Sequence, residues 1–141
     1  MASILNYIGT SLEYPLAVAS GAGRVVTGKV AIEQSIRQIL NIEQGTLQHN
    51  PYFGSRLHQL LFLPSDSVAM SLGRTFIVEA LQNWEKRIQI LDIESKKEIE
   101  DRTDGGLSAK VSVLKFNINY RIIATNNIEN YVFPFYRELK Y

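Results

Sequence analysis

No cysteine occurs in the 141 residues, which excludes a thiol nucleophile, a Cys-ligated zinc and a disulfide framework. Histidine is nearly as scarce. His49 and His58 fall in a turn and a short predicted helix, at no spacing that would set both on one metal. Charge of neither sign dominates: 15 Lys and Arg stand against 14 Asp and Glu, a formal net charge of +1. That leaves no basic face for nucleic acid and no acidic tail. No apolar run approaches the roughly 18 residues that suggest a membrane helix. The opening Met-Ala-Ser-Ile-Leu-Asn has neither the charged leader nor the long apolar core of a signal peptide. The expectation is a chain that begins in the cytosol, needs no cofactor or metal, and has neither nucleic acid nor membrane as a partner.

What is present suits one packed domain spanning residues 1–141. Hydrophobic residues make up 45% and charged residues 21%, ordinary globular values. A chain of this length buries enough surface to stand without staples. Residues 1–29 read as extended or irregular, 30–84 as helices and 87–135 as antiparallel strands.

From Val30 the period becomes helical. Ile32, Ile36, Ile39 and Leu40 share one face, and Glu33, Gln34, Arg37 and Gln38 share the other. Gly45 is the expected stop. Gly54-Ser55 can open a second short helix carrying Leu57, Leu60 and Leu61, and Ser65 offers an N-cap for a third. That third helix, Asp66 to Trp84, has two apolar stripes: Leu72, Phe76 and Ala80, then Ile77, Leu81 and Trp84.

After Arg87 the pattern alternates, and it slips phase between Ile90 and Ile93. Thr103-Asp104-Gly105-Gly106 is a hairpin turn. The next strand places Leu107, Ala109, Val111 and Val113 on one face, then Leu114, Phe116, Ile118, Tyr120 and Ile122 on the other. That pattern implies a bulge or burial on both faces. A final strand near Ile128 to Phe133 meets Pro134, which confines it to an edge. The fold class is α+β: three N-terminal helices packed on a C-terminal three-stranded antiparallel meander. The long strand carries more apolar residues than helices on one face require, so a partner's sheet is expected on its second face.

Chemical motifs are few. Gly23 to Lys29 spells Gly-x-x-x-x-Gly-Lys, most of a phosphate-binding loop, but Val30 stands where a magnesium-holding Ser or Thr is needed. An antiparallel sheet also offers no central parallel strand for such a loop. No Gly-x-Ser-x-Gly elbow exists. The carboxylates Glu79 and Glu85, or Asp92 and Glu94, could serve a glycosidase, although any chain has such pairs. The alternative function on these residues is a small hydrolase, nucleotide- or glycan-directed, using Lys29 or a carboxylate pair.

Two stretches are more distinctive. In "HNPYFGSRLHQLLFLP", aromatics, proline, glycine and leucines crowd into sixteen residues. Phe53, Leu57, Leu60, Leu61 and Phe62 are expected to pack beneath the long helix. "NWEKRI" sets Glu85 and Arg87 beside the sole tryptophan, Trp84, at a helix-to-strand junction. Such a pair either caps the junction or meets a partner, where Arg and Trp act as anchors.

In their order these stretches resemble the small wedge protein of contractile-tail baseplates, a family of phage tails, type VI secretion systems and extracellular contractile injection particles. The matching residues are Pro51, Phe53, Gly54, Leu57, Leu60, Leu61 and Phe62, then Trp84, Glu85, Arg87 and Ile88, within a likeness running from Gly21 to Phe133. Gly45-Thr46-Leu47 replaces the family's Gly-Glu-Arg, and Lys86 replaces the proline of its Glu-Pro-Arg. The resemblance implies a non-enzymatic protein that links a helical bundle of larger wedge subunits to the first ring of sheath protein. It implies about six copies per particle, in a ring of closed symmetry. Trp84, Glu85, Arg87 and Val132 become the expected partner-binding residues. Assembly in the bacterial cytoplasm, then residence in the baseplate of a phage tail or injection particle, completes what it implies.

Overall fold

The computed structural model describes residues 9–13, 18–19, 22–64 and 66–138. Short strands come first: β1 (Thr10–Leu12), β2 (Val18–Ala19), β3 (Ala22–Gly23) and β4 (Val25–Thr27). β1 pairs antiparallel with β4, and β2 with β3. Gly28, at φ 64°, turns the chain out of β4 into helix α1 (Lys29–Asn41). That left-handed φ suits glycine. On α1 the buried residues are Ala31, Ile32, Ile36, Ile39 and Leu40, the face its period marks out.

α1 ends at Asn41, short of the expected stop at Gly45. The cause lies across the loop. Ser55 donates its hydroxyl to the Leu40 carbonyl (2.8 Å) and its N–H to Ile42 (2.9 Å), while Gln44 donates back to Ser55 (3.1 Å). Ser55 therefore closes α1 rather than opening the next helix. Gly54 permits this approach, because a β-carbon there would lie 2.2 Å from the Ile42 carbonyl oxygen. Gly45, at φ 90°, serves the loop instead, its N–H reaching Pro51 (2.7 Å).

The expected second helix is a 3-10 turn, Leu57–Phe62. With three residues per turn, Leu57 and Leu60 eclipse each other and both face inward. Leu61 and Phe62 rotate out of the core, and Phe62 is 87% exposed. The expectation that both pack beneath the long helix is thus corrected, whereas Leu57 and Leu60 are buried and Phe53 packs against the core. Helix α2 (Asp66–Trp84) buries Ala69, Gly73, Phe76, Ile77, Ala80 and Leu81; Leu72, expected in a buried stripe, lies at its exposed edge. The N-cap expected at Ser65 falls outside the described residues.

The sheet is an antiparallel meander of β5 (Ile88–Asp104), β6 (Leu107–Ile122) and β7 (Ile128–Glu138), in that order. Gly105 and Gly106, both at positive φ, make the two-residue turn between β5 and β6. The phase slip in β5 is a bulge. Ile90 faces Tyr120 and Asp92 faces Asn119, which leaves Leu91 as the extra, exposed residue. β6 has no such slip in either ladder. It buries Val111 and Val113 on one face and Leu114, Phe116, Ile118, Tyr120 and Ile122 on the other. β7 runs past Pro134 to Glu138, further than its sequence suggests, and lies at an edge. α2 packs on β5, and α1 and the 3-10 turn pack on α2. The architecture is α+β, but among the described residues the helical part is two α-helices and a 3-10 turn, not three helices laid on the sheet.

Candidate partner-binding surfaces

The end of α2 and the start of β5 form the first surface. The Glu85 N–H still bonds to the Leu81 carbonyl (2.9 Å), so its side chain leaves the last turn of the helix. It points inward: the Glu85 side chain is 3% exposed, against 34% for Arg87. Arg87 grips it with two prongs, Nε to Oε1 and Nη2 to Oε2, each 2.7 Å, and adds its own N–H to Oε1 (3.2 Å). Burial alone would raise the Glu85 carboxyl. The Arg87 guanidinium, a hydrogen bond from Ser35 and the Arg87 charge outweigh it and hold the carboxyl below its ordinary value of 4.5. Trp84 stands edge-on to Phe53, ring centroids 5.0 Å apart, which brings the two distinctive stretches of the sequence into contact.

Beside this junction opens a cleft of about 340 Å³, lined by Leu81, Gln82, Glu85, Lys86, Ile88, Gln89, Ile90 and Ile123. Lys86 donates to the Gln82 carbonyl (2.7 Å). Trp84, Glu85 and Arg87 are therefore gathered at one place, as adjacency requires. Sequence reasoning missed Ile123, which the turn after β6 brings to the cleft by way of a bond from its N–H to the Arg87 carbonyl (3.0 Å).

Val132 lies elsewhere, exposed on β7 and paired with Asn117. Alternation along β7 sends Phe133 and Phe135 into the core. It turns Ile128, Val132, Pro134 and Tyr136 outward as an exposed apolar row. The stretch "IENYVFPFY" is apolar in both phases from Tyr131 onward, so the outward row is set by the register with β6. Of the apolar excess expected on β6, Val111 and Val113 are buried within the chain, and the exposed row lies on β7.

The phosphate-loop reading finds no support in the geometry. Val25–Thr27 is a strand paired with β1. The Lys29 ammonium is held by Glu129 (2.6 Å) and Glu33 (3.6 Å), and the Glu129 hydrogen bond raises its pKa. Of the other drafted carboxylates, Glu94 is exposed and two are engaged. Glu79 takes an ion pair from Arg56, whose guanidinium lies over the Phe76 ring (4.7 Å), and Asp92 accepts the Ile93 N–H (2.8 Å). Among the described residues no group of three or more His, Cys, Asp and Glu is placed to hold a metal.

Residues 26–127 match the family model described as baseplate wedge protein gp25. A search of the curated proteins finds no match. Among solved structures, a Geobacter sulfurreducens protein named as a candidate tail lysozyme is 28% identical. That match covers 87% of this chain and 96% of its own, with a TM-score of 0.60. A chain of the anti-feeding prophage baseplate is 14% identical over 94% of this chain and 88% of its own, also at 0.60, a likeness of fold.

Proposed function

The chain belongs to the gp25 family of baseplate wedge proteins, and from that premise we propose that it joins the wedge of a contractile tail or injection machine to the first sheath ring. It works by binding, without turnover. It assembles in the bacterial cytoplasm and then resides in the baseplate, with the larger wedge subunits at the Glu85–Arg87 junction and the sheath protein at β7. The expectation of about six copies rests on the family resemblance.

The observation that carries the sheath contact is the state of β7. It is an edge strand whose outer face shows Ile128, Val132, Pro134 and Tyr136. An edge is a template for strand addition, and the apolar row supplies the area a second sheet would cover. Lys115 and Pro134 form a pair in an unbroken ladder. Having no N–H, Pro134 fits only a pair that does not exchange hydrogen bonds, so its nitrogen faces the open edge. Residues two apart share that direction, and the Val132 N–H therefore faces outward too.

Val132→Pro removes an outward donor while leaving the β6 ladder bonds in place. Particles carrying it should incorporate the protein into the wedge and fail to polymerise sheath, as seen by electron microscopy. Sheathed particles of normal length would remove β7 as the platform.

The relative named as a candidate tail lysozyme raises a glycan-directed reading. A glycosidase needs two carboxyl groups flanking its cleft. The junction cleft has one, Glu85, and Arg87 binds both its oxygens. That geometry favours docking over hydrolysis, and release of no reducing sugar from peptidoglycan is the expected assay result.

A further inference from the structure

The junction cleft carries a charge pattern of its own. Its floor is apolar, with Leu81, Ile88 and Ile90, and Ile123 stands exposed at its edge. Its one carboxylate is cancelled by Arg87. One further cation, Lys86, stands in its lining. Lys86 is exposed and spends one N–H on the Gln82 carbonyl, a neutral acceptor. Lys86 has no ion-pair partner among the described residues, whereas Lys29, Arg56, Arg87, Lys97 and Lys115 each face a carboxylate.

We infer that the cleft receives an acidic, apolar segment of another baseplate protein: one apolar side chain enters beside Ile123, and a flanking carboxylate meets Lys86. This rests on the proposed docking of wedge subunits at the junction and adds the chemistry of the occupant. An apolar floor beside a cation short of an acid selects such a segment on both counts. A basic segment would meet like charge at the rim, which costs specificity and on-rate. A neutral polar one would leave the apolar floor uncovered. Since Lys86 stands where the family resemblance expects proline, the acid is a preference of this chain rather than of the junction in general.

Purified particles provide the test. Carbodiimide treatment joins an ammonium directly to a carboxylate in contact with it, and peptide mass spectrometry should find Lys86 linked to an Asp or Glu of another subunit. Lys86→Met keeps the aliphatic stem and should lower incorporation of tagged protein; Lys86→Glu should lower it about tenfold or more, as charge reversal at a docked pair does. Circular dichroism checks that both variants fold, which exposure of Lys86 leads one to expect. Wild-type incorporation of Lys86→Glu, or a Lys86 that links to no other subunit, would overturn the acidic occupant. Ile123→Asp separates the two readings. If it is excluded while Lys86→Glu enters normally, the junction stands and its occupant is not acidic. If both enter normally, the junction itself is not a docking site.

Discussion

Gly73 of α2 faces the ring of Phe116 on β6 so closely that a β-carbon at Gly73 would lie 2.5 Å from Cζ and 3.1 Å from Cδ1 of Leu60. Helix, sheet and 3-10 turn meet at this point. Gly73→Ala gains about 1 kcal/mol in helix propensity. The fully buried Phe116 ring must then shift, and overpacking a core costs about 1–3 kcal/mol. The clash wins: a net loss of stability is expected in chemical denaturation. A variant as stable as the parent would show that α2 can move off the sheet freely.

The proline-aromatic block divides into inward and outward residues. Leu60→Ala empties a fully buried site and should cost about 2–5 kcal/mol. Phe62→Ala touches an exposed ring and should stay within about 0.5 kcal/mol. Thermal unfolding of the two variants side by side checks the division. Equal losses would put Phe62 in the core.

Glu85 ties folding to acid. Its folded carboxyl lies below the ordinary value of 4.5, so the stability it contributes is full above that value and is lost as pH falls through the folded pKa. Glu85→Gln should therefore be less stable than the parent at pH 7, by about 1.5–3 kcal/mol for hydrogen bonds to a charged group. Arg87 is about one-third exposed, which favours the lower end through solvent screening. The gap between the two proteins should close as the pH drops well below 4.5. A gap constant from pH 7 to pH 3 would contradict the ion pair.

Lys29 looks like a nucleotide ligand in the sequence and is an exposed strut in the fold, bridging α1 to Glu129 of β7. Lys29→Ala should fold and enter particles. Isothermal titration of the parent with magnesium-ATP should show no heat at millimolar concentration. A micromolar dissociation constant abolished by Lys29→Ala would restore the phosphate-loop reading.

Much of this fold was legible because its signals are local. The stripe of Ile32, Ile36, Ile39 and Leu40 repeats at helical period, and the slip between Ile90 and Ile93 told of the bulge at Leu91. The role of Ser55 was not legible, since it depends on the carbonyl of Leu40 across a loop. Leu61 and Phe62 misled because α and 3-10 geometry assign the same leucine-rich run to different faces. At the junction, Trp84, Glu85 and Arg87 stood out as a cluster. Only the folded chain shows that Glu85 turns inward to Arg87 and that Ile123 arrives from another turn. On β7 both phases are apolar from Tyr131 to Tyr136, so which one faces the core depends on the register with β6.

The order of elements along the chain also sets a timetable. Both helices precede β6, the strand whose Phe116 meets α2 at Gly73. The roughly 40 residues from Leu81 to Tyr120 take about 2–8 s to synthesise at 5–20 residues per second. During that interval α1 and the 3-10 turn are the described elements already made that can shield α2. Once β6 emerges it closes on β5 through a two-residue turn, on the scale of about 1–10 μs, and β7 follows in the same way when it is made. The sheet thus arrives late and forms quickly, and a ribosome that stalls before Leu107 leaves the α2 face around Gly73 without its Phe116 cover.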